Sequence, residues 1–273
     1  MKPDRANAHE ILTRRGMLEK SACAVVAVTA TPWLSGCASH ADAPALNDEP
    51  ARGSDALRAA DLPKRVANIR IPDTRLARAA ADLALSVSPV NLYNHCMRTY
   101  LFAALVYKAR RVRFDEELTF VAAALHDLGL VEAFMTPNER FEVDGADAAL
   151  AFMKERRVPA ARAEIVWDAI ALHTAVGIAT RKAPEIAAIS IGAGMDATGM
   201  GLDGVSAEDV AEVIAAYPRL GFSKSAVETI IRYCEKKPST LLLHPWESVA
   251  RRHVPNLPLP FLEDVILAAP FPE

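Results

Sequence analysis

An all-α fold is what this 273-residue chain predicts, and three observations carry the expectation. Hydrophobic residues make up 51% of the chain but aromatics only 6%, so its apolar volume comes from small and aliphatic side chains that suit packed helices. Ala-rich runs recur with few β-branched clusters. Apolar residues past residue 70 return every three or four positions, the period of a helix with one buried face. The length allows one domain with a sizeable core. The expected architecture is therefore a single helical bundle over residues 63–273, behind a leader at 1–37 and a flexible tether at 38–62.

The leader reads as an export signal. A basic-containing start ends in Thr13-Arg14-Arg15-Gly16-Met17-Leu18, which resembles a twin-arginine signal, and Ser21 to Leu34 is moderately apolar. That run is too short to span a bilayer, which takes about 20 apolar residues. Leu34-Ser35-Gly36-Cys37 resembles a lipobox, whose small residues let a peptidase reach the backbone before the Cys37 thiol takes a lipid. The alternative is an N-terminal helix docked on the domain. The resemblance implies export, a lipid anchor at Cys37, and, with Ala38 following, outer-membrane sorting facing the periplasm in a Gram-negative host. Residues 38–62 contain Pro44, Pro50 and Gly53 without periodicity, hence the tether.

Helix signals follow in order. Asp73 is the expected N-cap of a helix through Ala84, closed near Ser88-Pro89, and Ser88-Pro89 has N-cap and N1 chemistry for the next helix. On that helix Leu92, His95, Thr99, Phe102 and Val106 share a face, with Arg98 one turn after His95. Arg98 either pairs with Asp127, contacts substrate, or is a structural or solvated side chain. Asp115 caps a third helix, Leu118 to His126, with Gly129 expected to stop it in a left-handed conformation. Residues 136–147 are polar and read as a loop, either lining a pocket or simply connecting, before a helix through about Arg156. Pro159 opens a longer element, with a helix expected from Ala163 to Ile178 that holds His173 on its apolar stripe, as core or as active site. Pro184 starts the helix carrying Ile186, Ile189, Ala193 and Asp196. Ser206 and Ser223 are expected caps of two more, and a Pro-rich tail starts at Pro255.

The chemistry-bearing residues lie on separate helices. A neutral imidazole beside a carboxylate, as in His126-Asp127, suits a borderline divalent metal. The competing reading is a helix C-cap ahead of Gly129. His95 stands on an earlier helix, and Asp196 sits on an otherwise apolar stripe, where an unpaired carboxylate is costly to bury and a metal would satisfy it. Separate helices of a bundle can aim such side chains into one pocket. Net charge is −3, from 31 basic and 34 acidic residues, with no dense Lys/Arg block after residue 30, so nucleic-acid binding is not expected. Cys23, Cys37, Cys96 and Cys234 match neither a zinc ribbon nor a disulfide framework. Cys96 reads as a small buried apolar residue, and His9, His40, His244 and His253 get no role.

The order His95, His126-Asp127, Asp196 resembles the ligand pattern of the HD-domain metal-dependent hydrolases. Tyr93-Asn94-His95 with Arg98, His126-Asp127-Leu128-Gly129-Leu130, Arg140-Phe141-Glu142-Val143-Asp144-Gly145-Ala146 and Trp167-Asp168-Ala169-Ile170-Ala171-Leu172-His173-Thr174 look like the cyanamide hydratase branch, over roughly residues 75–240. The resemblance implies an all-α HD-domain bundle, one divalent metal held by His95, His126, Asp127 and Asp196, and hydration of a nitrile. Zinc fits best, iron or manganese being alternatives. Leu130 stands where many HD phosphohydrolases carry Lys. His173 is the candidate proton relay, and Arg98 a candidate substrate contact. The substrate is expected to be a small molecule; the runner-up activities are a phosphohydrolase of a small ester or nucleotide, and a non-catalytic envelope metal-binding lipoprotein.

Overall fold

The computed structural model describes residues 61–271, all within one compact unit, Gly53–Glu273. The expected leader with Cys37, and the tether up to residue 60, lie outside the described residues. Among those described, ten α-helices, several single-turn 3-10 helices and one minimal hairpin make up the regular structure, which is the all-α fold the composition predicts.

The hairpin pairs β1 (Arg65–Val66) with β2 (Ile69–Arg70) across Ala67 and Asn68, which hold φ of 49° and 57° as a tight two-residue turn requires. Helix α1 (Arg75–Val87) is capped by Thr74, whose side chain accepts from the Ala77 N–H, and not by Asp73. Asp73 instead pairs with Arg78. Helix α2 (Val90–Arg110) begins one residue later than expected, with Pro89 at its N-cap, because Ser88 closes α1 by donating its N–H to Ala84. Every residue of α2 from Tyr93 to Tyr107 is buried, which makes it the central rod of the bundle.

Helices α3 (Glu116–Leu125) and α6 (Pro184–Thr198) pack on α2. Asp115 caps α3 as expected. Gly129 does not stop it: the helix ends through His126 in ordinary helical geometry. The reason for glycine there is proximity, since a Cβ would lie 1.9 Å from the Phe141 carbonyl oxygen. Gly192 plays the same part between α6 and α2, where a Cβ would sit 2.0 Å from the Thr99 oxygen. That backbone contact is what brings Asp196 beside His95.

Helix α4 (Phe141–Glu155) takes over most of the segment expected as loop. Its first turns look polar in sequence, but Glu142 and Asp144 are buried in ion pairs with His244 and Lys237. Helix α5 (Ala160–Ala171) stops well short of Ile178. The Ile170 carbonyl, which would continue the helical ladder, instead accepts from the His173 ring. Pro184 starts α6 and Ser206 caps α7 (Ala207–Ala216), both as expected. Helix α8 (Phe222–Lys236) begins after a left-handed Gly221; Ser223, the expected cap, lies inside it with its hydroxyl on Arg219. Short helices α9 (Glu247–His253) and α10 (Leu262–Leu267) end the described chain. No described helix is long and apolar enough to cross a membrane.

Candidate metal centre

His95 from α2 and the His126-Asp127 pair at the end of α3 converge, each offering one ligand atom, with all three atoms within 4.8 Å of one another. His95 Nε2 lies 3.6 Å, and His126 Nε2 3.3 Å, from the same oxygen of Asp127. Each imidazole is committed on its other side. His95 Nδ1–H donates to Asp196 (2.6 Å) and His126 Nδ1–H to the Ala123 carbonyl (2.8 Å). With Nδ1 holding the proton, the Nε2 lone pairs point inward, the tautomer a metal ligand needs.

Burial sets the charges. It pulls His126 down to about 3, helped by repulsion from His95, so the ring is neutral at physiological pH. It pushes the Asp127 carboxyl up, only partly offset by the imidazoles of His95 and His173. Nε2 of His126 is buried without a partner among the described residues. A buried acceptor left unpaired costs free energy that a cation would recover. Two nitrogens and one oxygen around an open position are also a donor set that divalent zinc accepts. The residues therefore fit a divalent metal.

Asp196, expected as the fourth ligand, stands in a different place: behind His95, outside this cluster. Its oxygens receive His95, the bidentate guanidinium of Arg98 (2.7 and 2.8 Å) and Arg219 (2.9 Å). Burial alone would raise its carboxyl, but the hydrogen bonds from His95 and Arg98 outweigh this and hold it at about 2. Arg98, read from sequence as a possible substrate contact, is fully buried and also donates to the Tyr217 carbonyl (3.0 Å). Its geometry is that of a group locking Asp196, and through it the His95 ring. On its other face His95 stacks against Phe222 at 4.5 Å.

His173 occupies the turn after α5, with its ring 5.0 Å from that of His126. Its Nδ1–H donates to Ile170 (2.7 Å), freeing Nε2, and burial together with His126 brings it down to about 4. The next residue, Thr174, donates its hydroxyl to Glu142. That carboxylate also receives Arg140 (2.7 Å) and His244 Nε2–H (3.2 Å), which hold it well below the usual range despite burial. Glu142 and His244 therefore anchor the turn bearing His173, a part the sequence alone did not reveal for either. Phe222, Arg219 and Tyr233 were missed as well. Only the four-residue spacing of Phe222, Ala226 and Ile230 could have signalled an inward face on α8. Cys96 and Cys234 are buried free thiols.

His95, His126, Asp127 and His173 all open onto one cavity of about 910 Å³. Its walls include Leu130, Met135, Phe141, Phe222, Ile230 and Trp246.

No protein of curated function matches the chain. A family does: residues 92–197, from the first turn of α2 to the last of α6, match the HD domain, and the match encloses His95, His126, Asp127, His173 and Asp196. The part of the bundle that resembles the HD domain thus also holds a His/His/Asp cluster compatible with a divalent metal.

Proposed function

We propose that this protein is a metal-dependent hydratase resembling cyanamide hydratase, adding water across a nitrile to give a urea or amide. The observation that carries this reading is the convergence of His95, His126 and Asp127, with Nδ1 of each imidazole engaged on the side away from Asp127, and the His173 ring 5.0 Å from that of His126. The metal, zinc by its donor set, would be held by His95, His126 and Asp127 and would supply the Lewis acidity that makes water a nucleophile near neutral pH. His173, which burial and the neighbouring His126 keep in its neutral form, would accept the proton released as the carbon–oxygen bond forms and return it to the nitrile nitrogen. Phe222 covers the outer face of His95 and keeps solvent from it.

Among the described residues, none of the cations lining the cavity has a contact that places it at the metal centre for a phosphate ester. Lys236 pairs with Glu132, Arg232 donates to Thr229, and Arg110 stands about 22 Å along α2 from His95. Leu130 replaces the cation that would face a phosphate. The substrate on this reading is a small molecule, and neither nucleic acid nor a polyanion is a partner. Export, lipidation at Cys37 and a location on the outer membrane facing the periplasm belong to the same proposal, supported by the twin-arginine and lipobox resemblances.

Full-length protein should bind one equivalent of zinc and release urea from cyanamide, with no phosphate from phosphoesters. His173→Ala should lose turnover at least a thousandfold with metal content unchanged. Phosphate release without urea, or metal loss in the variant, would refute the assignment.

A further inference from the structure

Cyanamide occupies little more than two water molecules, about 60 Å³ at about 30 Å³ each. The cavity onto which the metal centre opens runs on along α2 and α8 and holds about 910 Å³ in all, the size of sites that enclose drug-sized ligands. The excess room is mostly apolar, although Ser225, Arg232 and Lys236 of α8 also line it, and it is built on regular structure. Phe222, Ala226, Thr229, Ile230 and Tyr233, spaced along one face of α8, all line it. That face starts at the His95 ring, on which Phe222 stacks, and Ala226 follows about 6 Å further along the axis. Phe141 and Trp246, stacked at 4.3 Å, make a flat second wall. Two more lining residues leave large apolar side chains in water: Val176, 80% exposed, and Met200, 63% exposed. Solvated apolar side chains at a cavity edge gain free energy when an apolar ligand covers them.

We propose that the natural substrate is a nitrile with an apolar body of several carbons attached to its electrophilic carbon, cyanamide matching only its reacting end, and that the α8 face, with Ala226 one turn beyond Phe222, sets how long that body can be. This rests on the metal-centre reading for the reacting end of the molecule. Ala226 lines the cavity about one helical turn beyond Phe222, so a larger side chain there should take up room along α8 and not at His95, His126, Asp127 or His173.

A homologous series of straight-chain nitriles, propionitrile to nonanenitrile, titrated into full-length protein by calorimetry tests the proposal. Each added methylene should tighten binding about fourfold. In Ala226→Trp, and to a lesser extent Ala226→Leu, the gain should end at a shorter chain. The longest nitriles should then bind at least tenfold more weakly than to the unmodified protein, with propionitrile unaltered. An affinity independent of chain length, or identical series for all three proteins, overturns it. Metal content measured on the same samples separates the two ideas. A steep series in protein that holds no metal sinks only the metal reading, whereas a flat series in metal-loaded protein sinks only this one.

Discussion

Asp196→Asn changes one charge in the buried cluster behind His95 and almost no volume. Asp196 prefers its ionised form there by the difference between 3.8 and about 2, which is worth about 2 kcal/mol. The loss should exceed that, because the fully buried Arg98 guanidinium then has no anion, and breaking a buried pair from one side costs about 3–5 kcal/mol. An overall cost near 3 kcal/mol corresponds to roughly 6–12 °C in melting temperature for a unit of this size. Because Asp196 contacts His95 Nδ1 and stands outside the cluster of ligand atoms, its loss should weaken metal binding without abolishing it. Changing a group that orients a ligand typically costs about 10–100-fold in affinity. Thermal unfolding by circular dichroism and zinc affinity by chelator competition measure the two effects. A folded variant that binds no zinc at any accessible concentration would show that Asp196 is itself a ligand and that the two-layer arrangement is wrong.

Gly129→Ala should destabilise by about 3 kcal/mol or more, since its Cβ would overlap the Phe141 carbonyl, a backbone atom that cannot rotate away; a denaturation midpoint within error of the unmodified protein would contradict the close approach of α4. Acid should weaken the chelator-treated protein. His126 near 3 and His173 near 4 lie below the unfolded value of 6.5, so the unfolded chain binds more protons and stability falls as pH drops below 6.5. By pH 5 each contributes a loss of about 2 kcal/mol, readable as a shift in urea midpoint between pH 7 and pH 5, and an unchanged midpoint would argue against buried neutral imidazoles.

Helix starts were legible where the capping residue acts on its own helix: Asp115 and Ser206 cap as their types predict, and Pro184 opens α6. They were misread where a group is claimed by a neighbour other than the expected one. Ser223 bonds Arg219, Asp73 bonds Arg78, and the Ile170 carbonyl is taken by the His173 ring, so α5 ends early. Glu142 and Asp144 illustrate the same limit: local polarity suggests a loop, but partners about a hundred residues away bury both on a helix.

The sequence by itself determined the helical class, through its composition and three-to-four-residue period, and its resemblance to the HD ligand pattern put His95, His126, Asp127 and Asp196 in one chemical set, in keeping with the cost of leaving a carboxylate unpaired on an apolar face. Only the tertiary structure decided how that set divides. The direct contact of α6 with α2 at Gly192 carries Asp196 onto the back of His95, where two arginines neutralise it, and leaves His95, His126 and Asp127 facing the cavity. Spacing along a chain reports which side of a helix a residue occupies; which atom it meets there depends on how closely the helices approach.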